Sequence, residues 1–273
     1  MYRLPLALIT LLALSGPVMA TPTGKASGTA TNSNSAQADP RLQRISALLA
    51  RAPTLAAELQ QLHADGLLKT LNILPPEQPL QIAGRDRSAA LVEGYILLTP
   101  GLLDSLEENA RRRHHANADF ALLYVIAHQA GHAQAAQQAH LQALSDRLTA
   151  QVHERGGDAV RADAGLLEAF ATGMMEIEAR ATLVGWNHTL DAWLHHKGIA
   201  CGPQENPDVS VQQVMAQTEL LQQVPHAQPL ELAIGLDNGK ALQMEAHGIA
   251  LSEHNIAAVV TALRRMPQAL DID

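Results

Sequence analysis

The chain is short of the residues that characterise several large protein classes. It has 1 cysteine, Cys201, among 273 residues, so no internal disulfide can form and a disulfide-built fold is excluded. Aromatic residues make up 3% of the chain, so leucine and alanine must fill the core, which favours helices. Its 19 lysines and arginines are outnumbered by 27 aspartates and glutamates. The net charge of −8 argues against nucleic acid or an anionic membrane as a partner.

Long hydrophobic runs are also missing beyond the N-terminus. No such stretch reaches the roughly 18 apolar residues that a membrane-spanning helix requires. Hydrophobic residues nevertheless make up 47% of the chain, which is enough for the core of one domain. We therefore expect no transmembrane segment once the N-terminus has been processed.

The first 20 residues predict a cleavable secretory signal peptide. Arg3 supplies the positive start, Leu4–Leu14 the apolar run, and Val18–Ala20 the small-residue cleavage site. Residues 21–39 are rich in Thr, Ser, Ala, Asn and Gly and predict a disordered linker. These features predict an exported protein, which is periplasmic if the source is a Gram-negative bacterium and secreted otherwise.

Hydrophobic periodicity predicts a mainly helical α+β domain over residues 40–200 and a C-terminal α/β extension over residues 201–273. The apolar runs of residues 67–99 predict strands or extended loops, with Gly94 at a hairpin bend. Trp186, Trp193 and Leu194 are expected to pack under the turn that follows the helix Ala162–Leu183. Four other helices are expected. The first begins at Pro40, the second covers Thr54–Ala64, the third begins at Pro100 with Thr99 as its cap, and the fourth carries the histidines and runs through His132 to about Leu148.

The C-terminal extension carries a strong turn signal. Asp237-Asn238-Gly239 separates two apolar runs and predicts a β-hairpin. Ser252 is expected to cap a final helix. The elements expected here are a helix over Val209–Gln223, hairpin strands over Leu230–Leu236 and Ala241–His247, and a helix over Glu253–Arg265. The sequence leaves open whether this segment is an appended unit or part of the same core.

The stretch with the clearest chemistry is Leu122–His132, LLYVIAHQAGH. His128 and His132 lie four apart, so a helix would stack both imidazoles on one face, as in the zinc-peptidase motif HExxH. The residues before His128 are almost all apolar, as expected for a buried helix, and Gly131 lies where a side chain would crowd a close neighbour. A buried helix with two hydrogen-bonded histidines and no metal is the alternative.

Three motifs lie between residues 85 and 185: Glu93–Leu103 (EGYILLTPGLL), Val125–His132 (VIAHQAGH) and Glu176–Arg180 (EIEAR). Together they resemble the HtpX/BepA-like gluzincin metallopeptidases, the family that includes the CAAX-prenyl proteases. The first is similar to that family's edge strand and following helix, the second to HExGH, and the third to ExEAD. The resemblance implies a zincin-like metallopeptidase core with a small edge sheet.

The resemblance implies a zinc ion bound by His128, His132 and Glu178, the last at the position of the family's third ligand. Two neutral imidazoles and one carboxylate leave an open position for water, as in catalytic zinc sites. Without the histidines, Glu178 would be interpreted as a solvated helix carboxylate. Glu176 cannot easily replace it, because residues two apart point to different faces of a helix.

Two residues depart from the family pattern. Gln129 lies where the family has its general base, and a carboxamide has no basic site near neutral pH. Arg180 lies where the family has an aspartate that supports the metal ligands from outside. The loss of such support lowers metal affinity by about 10–100-fold. These departures predict impaired hydrolysis.

Three functions follow as alternatives. The first is an exported, zinc-binding, metallopeptidase-like protein with weak or no proteolysis that binds a peptide or protein segment in its cleft. The second is an active zinc endopeptidase in which another group supplies the base, and the third is a helical interaction protein without metal. In the first two, a peptide would add as an extra strand beside the edge strand, at Gly94, Tyr95 and Ile96.

Overall fold

The computed structural model describes residues 40–82, 84–113, 118–155, 164–199, 211–218, 220, 224, 227–235, 242–245 and 248–266. The predicted signal peptide and linker, Cys201 and the Asp237–Gly239 turn lie outside these residues. The helices are α1 Pro40–Leu49, α2 Pro53–Ala64, α3 Pro100–Arg113, α4 Ala118–His132, α5 Ala135–Arg155, α6 Ala164–Lys197, α7 Val211–Thr218, α8 Gln228–Gly235 and α9 Glu253–Arg265. The strands are β1 Thr70–Ile73, β2 Gln81–Ile82, β3 Arg85–Asp86, β4 Ala89–Val92, β5 Tyr95–Leu98, β6 Met244–Glu245 and β7 Gly248–Ile249.

The described residues are mainly helical with a small mixed sheet, as the composition predicts. Proline opens α1, α2 and α3, because its fixed φ and missing N–H suit the first position of a helix. Thr99 caps α3 as expected, since its hydroxyl accepts a hydrogen bond from the amide of Leu102 at 3.2 Å. Arg44 on α1 pairs with Glu107 on α3 at 2.6 Å and with Asp119 on α4 at 3.1 Å. These ion pairs join α1 to α3 and α4.

The three-stranded sheet has the order β1-β5-β4, with β1 parallel and β4 antiparallel to β5. The bend predicted at Gly94 is confirmed, since Glu93 and Gly94 connect β4 to β5 with φ values of 50° and 83°. Ile96 and Leu98 of β5 are fully buried. The sheet therefore packs its central strand into the core of the molecule.

The prediction that the strand at Tyr95 is an edge strand is wrong. That strand is β5, which lies in the middle of the sheet with β1 on one side and β4 on the other. Its backbone groups are therefore paired on both sides, and a peptide cannot add beside Gly94, Tyr95 and Ile96 as an extra strand. Hydropathy marks how deeply a strand is buried but does not say which strands flank it, so the local pattern could not place β5.

Two helix predictions also need correction. The helix that carries the histidines ends at His132, and the chain turns at Ala133 and Gln134 before α5 begins. Alanine and glutamine suit a continuous helix, so the local sequence does not mark this break. Conversely, α6 continues past Leu183 to Lys197. Trp186, Trp193 and Leu194 are therefore buried within α6, not under a turn that follows it.

The predicted hairpin strand over Leu230–Leu236 is wrong, because Gln228–Gly235 forms the helix α8. Leu230 and Ala233, three residues apart, are both buried, which is a helical spacing that a short apolar run does not distinguish from a strand. A smaller hairpin, β6 and β7, follows. Of the helix expected over Val209–Gln223, the structure describes α7, Val211–Thr218, and most of the remainder lies outside the described residues.

Two asparagines, the buried Asn255 and the half-buried Asn187, hold the small β6–β7 hairpin against the helices. Asn255 of α9 accepts from the amide of Gln243 at 2.9 Å and donates to the carbonyls of Gln243 and Ala250 at 2.8 Å each. Asn187 of α6 exchanges two hydrogen bonds of 2.8 Å with the backbone of Ile249. Ser252 caps α9 as predicted, accepting from the amide of Asn255 at 3.4 Å.

One hydrophobic core includes residues from both segments that the sequence separates at residue 200. It contains Leu122, Ile126 and Leu183 together with Leu230 and Leu263. The described part of the C-terminal extension therefore packs on the same core as the central helices. Within the described ranges, no helix combines the length and the apolar character needed to cross a bilayer.

Candidate metal centre

Helix α4 presents His128 and His132 from consecutive turns, as the i,i+4 spacing predicts. The two ring centroids are 4.8 Å apart, and the Nε2 atoms face each other at 3.1 Å. The side chain of His128 is 7% exposed and that of His132 is 19% exposed. The pair is therefore mostly buried, with its more accessible side at His132.

Helix α6 brings Glu178 to this pair from 46 residues further along the chain. The Glu178 carboxylate is 3.3 Å from the Nε2 atom of His128 through Oε1 and 3.4 Å from that of His132 through Oε2. Its side chain is 8% exposed. The predicted convergence of His128, His132 and Glu178 is present in the structure. Glu176, two residues earlier, is exposed, as the helix geometry requires.

The spacing of these donor atoms suits a transition-metal ion. Four-coordinate zinc with bonds of about 2.0–2.1 Å places its ligand atoms about 3.3 Å apart. The separations here are 3.1, 3.3 and 3.4 Å, the last two reaching different oxygens of one carboxylate. One ligand atom from each residue lies within 4.8 Å of the others. The Oε2 atom of Glu178 is buried and has no hydrogen-bond partner among the described residues.

Charge at the site also favours a bound cation. Burial by itself would raise the pKa of Glu178, but the neighbouring His128 and His132 rings outweigh it and hold that pKa well below its ordinary range. The carboxylate is therefore ionised at neutral pH. An ionised carboxylate in a buried position requires a compensating positive charge. Protonated imidazoles would supply that charge, and a metal ion between the three side chains would supply it in their place.

Glycine allows the two ligand-bearing helices to approach this closely. A Cβ atom on Gly131 of α4 would lie 2.8 Å from the Cα of Ala181 on α6, which is closer than carbon atoms can pack. A Cβ on Gly185 of α6 would lie 3.0 Å from the ring of Tyr124 on α4. The crowding expected at Gly131 from the sequence is confirmed.

Tyr124 is a site residue that the sequence did not single out. It is fully buried, and its ring stacks on that of His128 with centroids 5.8 Å apart and planes at 26°. Burial raises the pKa of the Tyr124 phenol far above its usual value, the charge of Glu178 raises it further, and the hydroxyl of Thr182 opposes both. The sequence feature that could have identified Tyr124 is its position four residues before His128, which places both rings on the same face of the helix.

The two residues that depart from the resemblance lie at the positions expected on each helix. Gln129 follows His128 on α4 and is 8% exposed. Arg180 lies two residues after Glu178 on α6 and is half-buried. No hydrogen bond or ion pair within the described part of the chain joins Arg180 to Glu178. The supporting role that the resemblance gives to position 180 therefore stays a prediction.

A cavity of about 210 Å³ lies away from the three candidate ligands. It is near the start of α4 and the end of α6, with Phe120 and His196 arranged edge to face at 6.0 Å. Its rim includes Arg51, which pairs with Asp119 at 2.6 Å. This cavity does not include the candidate metal ligands, so it is not the peptide cleft expected beside them.

Comparison with known proteins assigns no family or function to this chain. A scan against models of protein families finds no match, and searches of curated proteins and of solved structures find no significant match either. The case for a metal centre therefore depends on the three converging side chains and their spacing.

Proposed function

We propose that this protein is an exported, zinc-binding, metallopeptidase-like protein that hydrolyses peptide bonds weakly or not at all and binds a peptide or protein segment. The observation that carries the proposal is the convergence of His128, His132 and Glu178 with separations close to those of a zinc site. The resemblance of the three motifs to gluzincin metallopeptidases supports the peptide-binding part. The signal-like N-terminus supports export.

The donor set suits a catalytic rather than a structural zinc. Two imidazoles and one carboxylate would leave one position of a tetrahedral ion free, whereas structural zinc sites use four protein ligands. Zinc bound in this way supplies a Lewis acid that polarises a carbonyl group and lowers the pKa of a coordinated water. His132 is the more exposed of the two imidazoles, so the site is more accessible from its side.

Gln129 is the reason for proposing weak or absent hydrolysis. Its carboxamide can hold a water molecule by hydrogen bonds, but it cannot accept a proton near neutral pH. Loss of a general base lowers a rate by about 10²–10⁴. The chain therefore has three side chains placed to hold a metal, but at position 129 it lacks the carboxylate that would move the proton.

The sheet suggests where an extended segment would bind. Among the described residues, β4 pairs only with β5. A further strand would therefore add at its other edge, beside the half-buried Leu91 and Val92 rather than the buried Ala89 and Ala90. β4 also contacts α4, the helix that carries both histidines. The outer edge of β4, Ala89–Val92, takes the role that the resemblance had given to the strand at Tyr95.

Metal content tests the proposal directly. We expect purified protein, stripped of metal and then reconstituted, to bind about one zinc ion per chain, because the three donors already converge. His128→Ala is expected to lose stoichiometric zinc. Elemental analysis after dialysis measures both. Absence of zinc from the wild type would support the alternative of a hydrogen-bonded cluster, and bound iron would indicate the two-histidine, one-carboxylate chemistry of non-haem iron.

A peptidase assay separates impaired from active enzyme. We expect the wild type to cleave unfolded casein no faster than His128→Ala, because Gln129 cannot act as a base. The double variant Gln129→Glu, Arg180→Asp restores both family residues and serves as the comparison for a repaired site. Cleavage by the wild type that is well above the His128→Ala level and is abolished by a chelator would contradict the proposal and favour an active endopeptidase.

A further inference from the structure

Tyr124 contacts both helices that carry the candidate metal ligands, His128 on its own helix α4 and Gly185 on α6. On α4 its ring stacks on His128 at 5.8 Å between centroids, with planes inclined by 26°. It precedes His128 by one helical turn, so the two rings lie on the same face of the helix. Because Tyr124 is fully buried, its ring cannot swing into solvent, and the stacked imidazole is confined with it.

The other side of the Tyr124 ring rests on α6. Gly185 leaves room for it, since a Cβ there would lie 3.0 Å from Cε2 and 3.2 Å from Cδ2 of the ring. The phenol lies beside the hydroxyl of Thr182 and within electrostatic reach of Glu178. Thr182 is one helical turn after Glu178, so the phenol faces the stretch of α6 that carries the third ligand.

We propose that Tyr124 is a positioning residue that holds the His128 ring in place against α6, the helix that carries Glu178, and thereby sets the metal affinity of the site. The proposal rests on the proposed function, in which these residues bind a metal. Residues that orient metal ligands typically change affinity by about 10–100-fold when removed. The ring restrains the imidazole by stacking, and the hydroxyl lies within electrostatic reach of Glu178.

Two substitutions divide these roles. Tyr124→Phe removes the hydroxyl and keeps the stacked ring, whereas Tyr124→Leu removes the ring as well. Thr189→Val is the matched control. Like Tyr124, Thr189 is fully buried, and its hydroxyl donates to the carbonyl of Gly185 at 2.8 Å. It lies on α6 three turns beyond Glu178, away from the candidate ligands. Zinc affinity is measured by competition with a chromophoric chelator.

We expect zinc affinity to fall by about 10-fold in Tyr124→Phe and by about 100-fold in Tyr124→Leu, with Thr189→Val within about 2-fold of the wild type. Imidazole ¹⁵N NMR spectra of the metal-free proteins, assigned with His128→Gln, provide the second readout. The His128 signals are expected to change in both Tyr124 variants and to stay unchanged in Thr189→Val.

The two readouts separate the possible failures. If the wild type binds no metal, the proposed function is wrong, and the metal-free His128 signals still decide whether Tyr124 orients that ring. If Tyr124→Leu does not fold, Tyr124→Phe decides by both measurements. Wild-type zinc affinity in the folded Tyr124 variants, or His128 signals identical to those of the wild type, would overturn the positioning role.

Discussion

Glu178→Gln is expected to lower zinc affinity by at least about 100-fold, the upper end of the effect seen for residues that only support a ligand. Glutamine has nearly the same shape, so packing between α4 and α6 is retained. It removes the negative charge that faces both imidazoles at 3.3 and 3.4 Å. The measurement is zinc affinity by chelator competition, with circular dichroism to show that the helices are intact.

Glu176→Gln is the matched control for this prediction. Glu176 is exposed on α6, two residues from Glu178 and on a different face of the helix. The same chemical change there is expected to leave zinc affinity within about 2-fold of the wild type. Equal affinity in both variants would show that the carboxylate of Glu178 is not a ligand, and the metal centre as proposed would be wrong.

Gly131→Ala is expected to destabilise the protein by about 1–3 kcal/mol, the range for overpacking a tight core. Alanine is the better helix former by about 1 kcal/mol, so intrinsic propensity predicts the opposite sign. Crowding outweighs propensity here because the new Cβ would lie 2.8 Å from a backbone atom, the Cα of Ala181, which cannot rotate away. Chemical denaturation of the metal-free protein measures the change.

Gly101→Ala provides the control for helix propensity. Gly101 is exposed in α3, and a Cβ there would meet only the Thr99 hydroxyl at 4.0 Å. That substitution is expected to be neutral or to stabilise by up to about 1 kcal/mol.

Gly131→Ala is also expected to weaken zinc binding, because parting the helices moves His132 away from Glu178. Unchanged stability of Gly131→Ala would mean that the helices are less closely packed than described.

Much of the candidate site follows from short-range rules. The i,i+4 spacing places His128 and His132 on one face of any helix, and the apolar residues around them require that helix to be buried. The small residue Gly131 signals a close neighbour. Gly94 at the hairpin bend follows from the same kind of local rule, because a positive φ favours glycine.

The errors arise where local pattern is compatible with more than one structure. The segment after His132 suits a continuous helix, yet the chain turns at Ala133 and Gln134. Leu230–Leu236 suits a strand by its apolar content, yet residues 230–235 belong to the helix α8. β5 is central because β1 pairs with it, and each residue of β1 lies 25 residues before its partner in β5, as Thr70 does before Tyr95. In each case tertiary packing selects among alternatives that propensity leaves nearly equal in energy.

The sequence by itself determined the class of chain, the buried helix with two histidines on one face, and the absence of a basic group at position 129. Only the tertiary structure decided that Glu178 faces those histidines, that Tyr124 lies between the helices, and that β5 is enclosed on both sides. The physical reason is range. Helix periodicity and side-chain chemistry act over a few residues, whereas the approach of α4 and α6 depends on how distant segments share one core.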